Sequence, residues 1–464
     1  MVPQEIDVLV VGAGPAGLTA AAALRRYGVE VLVLERKARL SVHPRATVVS
    51  TRSMELLRSW GLEDEIGAGG IPAVEWLGLV AETLASADRG KPVTLGLPTK
   101  EQAGVLSPTA PLCVPQDHTE AVLLGYARSL GAKVEFGREV LRLDVADDGA
   151  EALVREGDRI RCVSARYVIG ADGAHSVVRS ALGIEMGGPG AVGTPSLTAA
   201  FTAPLWDLVG EPQYGLYPIV HPDVSSVFVP SGRGDDWVFG VAADLIERPN
   251  EAEMTRLIRI AAGVPDLELR IHSITTFNFA AEIAGRFAEG SAFLIGDAAH
   301  RVTPRGGTGM NTAIADGHDL GWKLGWVLHG WAGEELLHTY EAERSPVASH
   351  NLERSVDERG SYRDTIDEIH VDLGGRIAHL WVQTESGRVS TLDLVGDGLT
   401  LFTGPDTEPP PEASASADGS APVTVRRLPA VTARALGIAP AGWLLVRPSG
   451  VPARPAAEVA LAAA

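Results

Sequence analysis

The sequence predicts an α/β chain with a βαβ unit at its head, a β-rich domain set into it, and a short C-terminal addition. Three observations predict this. Residues 6–34 run through an apolar strand, a glycine turn, an alanine-rich helix and a second apolar strand. Residues 187–265 change to short strand-like runs cut by Gly, Pro and Asp. Beyond residue 290 the α/β texture returns, with an apolar strand, a glycine-rich loop and a long helical pattern.

Each element has its own reason. Ile6–Val11 is an apolar run of strand length, Leu18–Tyr27 has helix composition and stops at Gly28, and Val29–Leu34 reads as a strand buried on both faces. The stretch Ile6–Leu24 imitates a membrane span, but Asp7, its three glycines and Pro15 divide it into strand, turn and helix. Thr51–Trp60 and Gln116–Leu130 read as helices, and Lys133–Val145 and Arg161–Ile169 as strands. Ser225–Val229 and Trp237–Val241 are the clearest strands of the β-rich segment. Ser291–Ile295 then reads as a strand and Met310–Leu328 as the long helix. Residues 407–422, rich in Pro, Ala, Ser and Glu, read as a flexible loop, and the alanine-rich end as frayed. The expected division is a discontinuous α/β domain (1–76, 104–186 and 268–385), a β-rich domain (77–103 and 187–267) and a C-terminal piece (386–464).

Composition bounds the function. A length of 464 residues suits two or three domains, and 45% hydrophobic with 21% charged residues suits a globular protein. A net charge of -19 argues against a nucleic-acid partner or an anionic membrane surface, and no stable membrane insertion is expected. Cys113 and Cys162 lie far apart, with no CxxC and no zinc-like spacing; no metal is expected, and the reducing cytoplasm is the simplest home. The first strand begins almost at once, which leaves no room for a secretory n-region and cleavage site.

Four motifs carry chemistry. In Gly12-Ala13-Gly14-Pro15-Ala16-Gly17 the first glycine permits the tight turn, the second lets a pyrophosphate approach the backbone, and the third brings helix and strand together. The helix N-terminus then offers unpaired N–H groups to the phosphates. Glu35 closes the second strand 18 residues past Gly17, where an acid bonds ribose hydroxyls. A second match, Gly188 to Gly193, lacks the flanking strand and helix and reads as a loop, so one dinucleotide site is expected. The second motif, Phe293 to His300, ends an apolar strand in Gly296-Asp297, whose carboxylate accepts hydrogen bonds from a polyol. The third, Pro304 to Asn311, is a glycine-rich loop opening the long helix. The fourth, Gly170 to Arg179, places Asp172 either on a cofactor or as a loop cap, with Ser176 capping a short helix.

Together these residues resemble the p-hydroxybenzoate-hydroxylase-like FAD monooxygenases, especially the polyketide and phenol hydroxylases. The resemblance runs through the GxGxxG with Glu35, the pattern Asp172–Arg179, Gly296–His300, the Pro304–Asn311 loop with its helix, and His43-Pro44-Arg45. It implies a Rossmann-like FAD-binding domain carrying a β-rich substrate domain, with residues 386–464 as a shortened thioredoxin-like remnant. It implies that Gly12, Gly14, Pro15, Ala16 and Gly17 hold the pyrophosphate and that Glu35, with Arg36 beside it, binds the adenosine ribose. Arg45, Gln116 and Val140 would contact the cofactor, Asp172 would serve FAD and the transient nicotinamide, and Asp297 would bind the ribitol. Pro304, Gly309, Met310 and Asn311 would border the isoalloxazine, with Pro304 on the oxygen-reactive face.

The activity implied is that of an NAD(P)H:O2 monooxygenase, using NADPH or NADH, which hydroxylates an aromatic small molecule through a flavin C4a-hydroperoxide. A monomer or homodimer is expected. Rivals of the same fold are Baeyer–Villiger, epoxidising and antibiotic-inactivating enzymes; the others are a flavin halogenase, whose WxWxIP pattern is absent, a reductase and a non-catalytic flavin protein. No general base stands out: His221, His300 and Asp223 are candidates by residue type alone. Tyr217, Phe228, Trp237 and Phe239, on the strands of the β-rich domain, are candidates for the substrate pocket, with core packing as the competing role.

Overall fold

The computed structural model describes residues 4–41, 46–71, 75–232, 234–246, 250–385, 387–408 and 421–453. Its main sheet takes the strands Gln4–Val11, Val31–Glu35, Lys133–Phe136, Arg159–Gly170 and Ala292–Leu294 in parallel. The register matters for function. Val11 pairs with both Gly170 and Leu34, and Gly170 pairs with Leu294. Four strands therefore end level, and Gly12, Glu35, Asp172 and Asp297 leave the same edge of the sheet. In open parallel sheets that carboxyl edge is where ligands bind.

The helix Pro15–Arg26 lies across this sheet and against the long helix Gly309–Leu328. Three glycines one turn apart permit the approach. A Cβ on Gly317 would stand 2.5 Å from the Ala16 carbonyl oxygen, one on Gly321 2.4 Å from the Ala23 methyl, and one on Gly325 2.7 Å from the Tyr27 ring. Alanines fill the facing positions Ala16, Ala20 and Ala23, all buried. The two helices are thereby locked to one another.

The second sheet has seven strands, in the order Arg270–Phe277, Ser196–Thr202, Asp236–Ala242, Val224–Pro230, Tyr214–His221, Glu75–Val80 and Lys91–Thr94. One face packs on the helix Glu251–Ala262 to form a separate core. Arg270–Phe277 pairs with Ser196–Thr202, so the β-rich body continues past residue 267, the boundary expected from sequence. Beyond the helical region, Leu399–Thr403 pairs with Val423–Arg427 and with Trp443–Val446 around a small third core. That module is tied to the first helix by Arg26 and Asp397 at 2.7 Å, and to the helix Glu335–Val356 by Arg447 and Glu343 at 2.7 Å.

Several sequence expectations need correction. Residues 133–145 form two strands rather than one, because Gly137 turns the chain and its N–H bonds to the Lys37 carbonyl at 2.8 Å. The segment Gly188–Gly193 is not a loop throughout: Met186–Ala191 is a strand paired with Ala280–Ala284. The helix Glu335–Val356 has no counterpart in the sequence reading, since Pro346 lies within it. Among the described residues no helix is long and apolar enough to cross a membrane.

Candidate functional site

The turn after the first strand is fixed by backbone contacts. Gly12 has φ +107, a conformation that side chains resist, and a Cβ there would stand 2.3 Å from the Ala171 carbonyl oxygen. A Cβ on Gly17 would stand 2.1 Å from the Gly12 carbonyl oxygen. Gly14, by contrast, has open space where its Cβ would be. It is the N-cap of the first helix and offers no side-chain cap. Pro15 lacks an N–H, and those of Ala16 and Gly17 have no acceptor within the helix. Glu35 braces the turn: its Oε2 accepts from Ala13 N–H at 3.0 Å and its Oε1 from Lys37 N–H at 2.9 Å. Each carboxylate oxygen retains lone pairs for further donors.

Gly12, Gly14, Pro15, Ala16, Glu35 and Lys37 line one cavity of about 600 Å³, while Gly17 packs behind them against Gly12. Arg36, exposed, and Val140, buried, stand on its wall with Gln116. Gln116 donates to Glu120 Oε1 at 2.7 Å, and its N–H holds the Ala46 carbonyl at 2.8 Å. Arg45 lies outside the described residues.

Asp172 also lines the cavity, and its carboxylate caps the following turn. Ser176 Oγ donates to one oxygen, while Val177 N–H and Val178 N–H donate to the other, the latter at 3.3 Å. Burial pushes this carboxyl up, against the pull of those bonds. Ser176 in turn accepts from Arg179 N–H, and the Arg179 guanidinium donates to Ala298 O at 3.1 Å, behind Asp297.

Asp297 is exposed among buried neighbours, on the short turn Gly296–Ala298. That turn rests on a buried ionic group that sequence reasoning missed. Asp316 Oδ2 accepts from Gly296 N–H at 3.1 Å and pairs with His300 Nε2 at 2.6 Å; its Oδ1 accepts from Arg344 Nε at 2.8 Å. Burial alone would raise the Asp316 carboxyl, but His300 and Arg344 hold it down to about 2. His300, 1% exposed, is thereby a structural partner rather than a base facing the cavity. The long helix also carries His318, Asp319 and Lys323, so residue type alone did not single out Asp316.

The loop Pro304–Asn311 brings Pro304, exposed, and Gly309 and Met310 to the same cavity. Asn311 faces elsewhere: its Nδ2 donates to Val48 O at 3.1 Å and Gly307 O at 2.8 Å, and its Oδ1 accepts from Ser50 N–H at 2.8 Å. It fixes the strand Val48–Val49 against the helix start. Thr308, the N-cap, makes no side-chain cap, and its buried Oγ1 has no hydrogen-bond partner.

The four aromatic candidates are corrected. Tyr217, Phe228, Trp237 and Phe239 are all buried in the second core and none lines the cavity. Successive side chains on a strand face opposite ways, and the candidates fell on the inner face. The second sheet faces the cavity through Gly215, Leu216, Val229 and Phe277, with Leu95 and Leu97 nearby in the lining. His221 and Asp223 sit at an exposed hairpin, where Asp223 N–H bonds to His221 Nδ1 at 3.1 Å, and neither lines the cavity. Among the described residues no cluster is able to hold a metal ion.

The residues present fit an FAD. Two helix N-termini with free N–H groups meet one cavity, Gly14 leaves open space, Asp297 and Glu35 offer acceptors at separate points, and Thr308 Oγ1 lacks a partner.

Comparison with known proteins agrees with this geometry. Residues 5–355 match the family model described as FAD binding domain. Aklavinone 12-hydroxylase from Streptomyces peucetius is 35% identical over 461 residues, covering 87% of this chain and 92% of its own. Tetracenomycin A2 monooxygenase-dioxygenase from Streptomyces glaucescens is 32% identical over 473 residues, covering 88% and 83% respectively. Among solved structures, aklavinone-11 hydroxylase in its ternary complex with FAD and aklavinone superposes with a TM-score of 0.86 at 31% identity, covering 98% of this chain and 96% of that one.

Proposed function

The chain belongs to the FAD-binding-domain family that includes these hydroxylases, and on that premise we propose how its cavity serves the reaction. The protein is an FAD-dependent monooxygenase that acts on an aromatic polyketide-type substrate. The single observation that carries our reading of the site is the continuity of the cavity: it joins the glycine cradle at Gly12–Ala16 to a wall supplied by the second sheet.

In this reading the free N–H groups of Ala16 and Gly17 hold the pyrophosphate, Glu35 the adenosine ribose and Asp297 the ribitol. The first-turn N–H groups at Gly309 and Met310 face the isoalloxazine and favour negative charge there. FAD, when bound, supplies the transfer of electrons from NADPH or NADH to O2 and so the oxygen atom that is inserted. The chain's own residues do the rest. Leu95, Leu97, Leu216, Val229 and Phe277 exclude water and hold a flat ring by contact. Orientation of this kind contributes several kcal/mol to an aligned reaction, on the order of 7 in well-ordered cases. The wall from the second sheet is uncharged, so we assign the site a neutral, planar, polycyclic phenol. Residues 386–464 are assigned as a shortened thioredoxin-like remnant that buttresses the first helix. We assign the protein to the cytoplasm, as a monomer or homodimer.

The test is NAD(P)H oxidation by the purified yellow protein in air, with and without a panel of phenols and polyketide quinones, while H2O2 is followed. We expect one class of polycyclic phenol to stimulate oxidation, with a product one oxygen atom heavier and little peroxide. A product whose new oxygen lies in an ester would replace hydroxylation by Baeyer–Villiger insertion. Bound FAD without oxidation under any condition would remove the monooxygenase reading.

A further inference from the structure

One buried cation stands behind the cavity wall and belongs to none of the cofactor motifs. Arg354, in the last turn of the helix Glu335–Val356, is 4% exposed. Its Nε donates to Gly360 O at 2.9 Å, its Nη2 to Gly96 O at 3.2 Å, and its Nη1 pairs with Glu368 Oε2 at 3.1 Å. Gly96 lies between Leu95 and Leu97, and Gly360 precedes Ser361; all three of those neighbours line the cavity. A third segment of the wall touches the same group. A Cβ on Gly306 would stand 2.6 Å from Arg354 Nε, and one on Gly96 2.3 Å from Nη2. Gly360 is as tightly placed, its Cβ position 1.9 Å from the Arg354 carbonyl oxygen. Gly306 N–H also donates to Ser361 Oγ at 3.2 Å, which joins two of the segments directly.

Three glycines from distant parts of the chain thus converge on one side chain. A buried guanidinium is a costly way to fill space, and an apolar side chain would pack there at less cost. What a guanidinium adds is a rigid fork able to bind separate carbonyls at once. Glu368 balances its charge while also accepting from His350 Nε2 at 2.9 Å and Arg363 Nη1 at 3.4 Å.

We propose that Arg354 is a positioning residue that sets the substrate chamber by hydrogen-bonding two of its wall segments, residues 95–97 and 360–361, to one buried guanidinium against which a third, residues 306–307, packs. The proposal rests on the reading of this cavity wall as the substrate chamber. It makes substrate affinity and the coupling of NAD(P)H oxidation to hydroxylation depend on Arg354, while FAD binding does not.

The experiment compares the flavin-loaded wild type with Arg354→Lys and with the charge-free double variant Arg354→Met with Glu368→Gln, which leaves no unpaired buried carboxylate should a single variant fail to fold. Three readouts are taken together: retained FAD, hydrogen exchange along the chain, and the dissociation constant of the dihydroxyanthraquinone alizarin. We expect retained FAD, faster exchange in all three segments at once, and alizarin binding weakened about tenfold or more in the double variant. Arg354→Lys should recover part of that loss, because one ammonium can pair with Glu368 but cannot span both carbonyls. Unchanged exchange, or a change confined to 360–361, would overturn the fastening. All three segments loosening while alizarin affinity stays at the wild-type value would overturn the chamber role, and would do so without touching the assignment of FAD.

Discussion

The two sides of the cavity are made differently. The cofactor side is made of backbone: helix N-termini, a turn at Gly12 and strand ends held level by sheet register. The opposite wall, which we propose receives the substrate, is made of side chains on strands of the second sheet, Leu216, Val229 and Phe277, with Leu95 and Leu97 from a loop region. Backbone recognition tolerates little variation, because a Cβ in the wrong place meets a carbonyl that cannot move. Side-chain recognition is open to change at each residue. The difference explains how one cofactor site can serve many substrates.

The sharpest test of the rigid side lies beneath it. Asp316→Ala would leave Arg344 buried without its carboxylate and remove the support of Gly296, which should cost about 3 kcal/mol or more and release FAD. Thermal unfolding and the flavin content of the purified variant measure both. Because the Asp316 carboxyl is held at about 2, below its ordinary 3.8, its contribution to stability is complete above about pH 4 and is lost as pH falls through about 2.

Two neighbours on one strand test the boundary between packing and recognition. Tyr217, fully buried, should cost about 3–5 kcal/mol when changed to alanine. Leu216→Ala, on the cavity face, should leave the melting temperature nearly unchanged and raise KM for the aromatic substrate about tenfold. If Leu216→Ala unfolds the protein and Tyr217→Ala alters substrate choice instead, the facing of the strand is wrong. Smaller effects are expected at Glu35→Ala and Asp297→Ala, each weakening FAD by about tenfold through lost hydrogen bonds while the fold persists. Titration of the apoprotein with FAD checks each, and unchanged affinity would remove that residue from the cofactor.

The smallest effect concerns His318, buried in the long helix and stacked on Trp60 at 5.6 Å. Burial, with help from Arg52, Arg26 and Arg344, pushes its imidazole down to about 3. The folded protein therefore holds it neutral, and the unfolded chain gains a proton below 6.5. Stability from this group is complete above about pH 6.5 and declines as pH falls toward 3. His318→Phe should keep the stack and flatten that decline, raising the melting temperature near pH 6 relative to the wild type by an amount equivalent to about 1 kcal/mol.

The same contrast decides what could be read from sequence. Gly12, Gly17 and Glu35 were legible because close backbone approach leaves a glycine spacing, and a strand-end acid has a regular distance from it. The role of Asp172 as a cap needed the geometry, since capping and cofactor binding use the same residue type. The aromatic residues of the second sheet were misplaced because alternation fixes two faces without saying which one meets the cavity. Arg344 and Arg354 left no signal: their partners lie far away in sequence, and only the folded chain brings them together.

The proposed reaction inserts one atom of dioxygen into an aromatic ring. It is tested most directly by running the reaction with a stimulating phenol under isotopically labelled O2 in ordinary water, with the product read by mass spectrometry and NMR. A single labelled oxygen on a ring carbon is expected. A product carrying oxygen from water, or a labelled peroxide with the phenol unchanged, would contradict it.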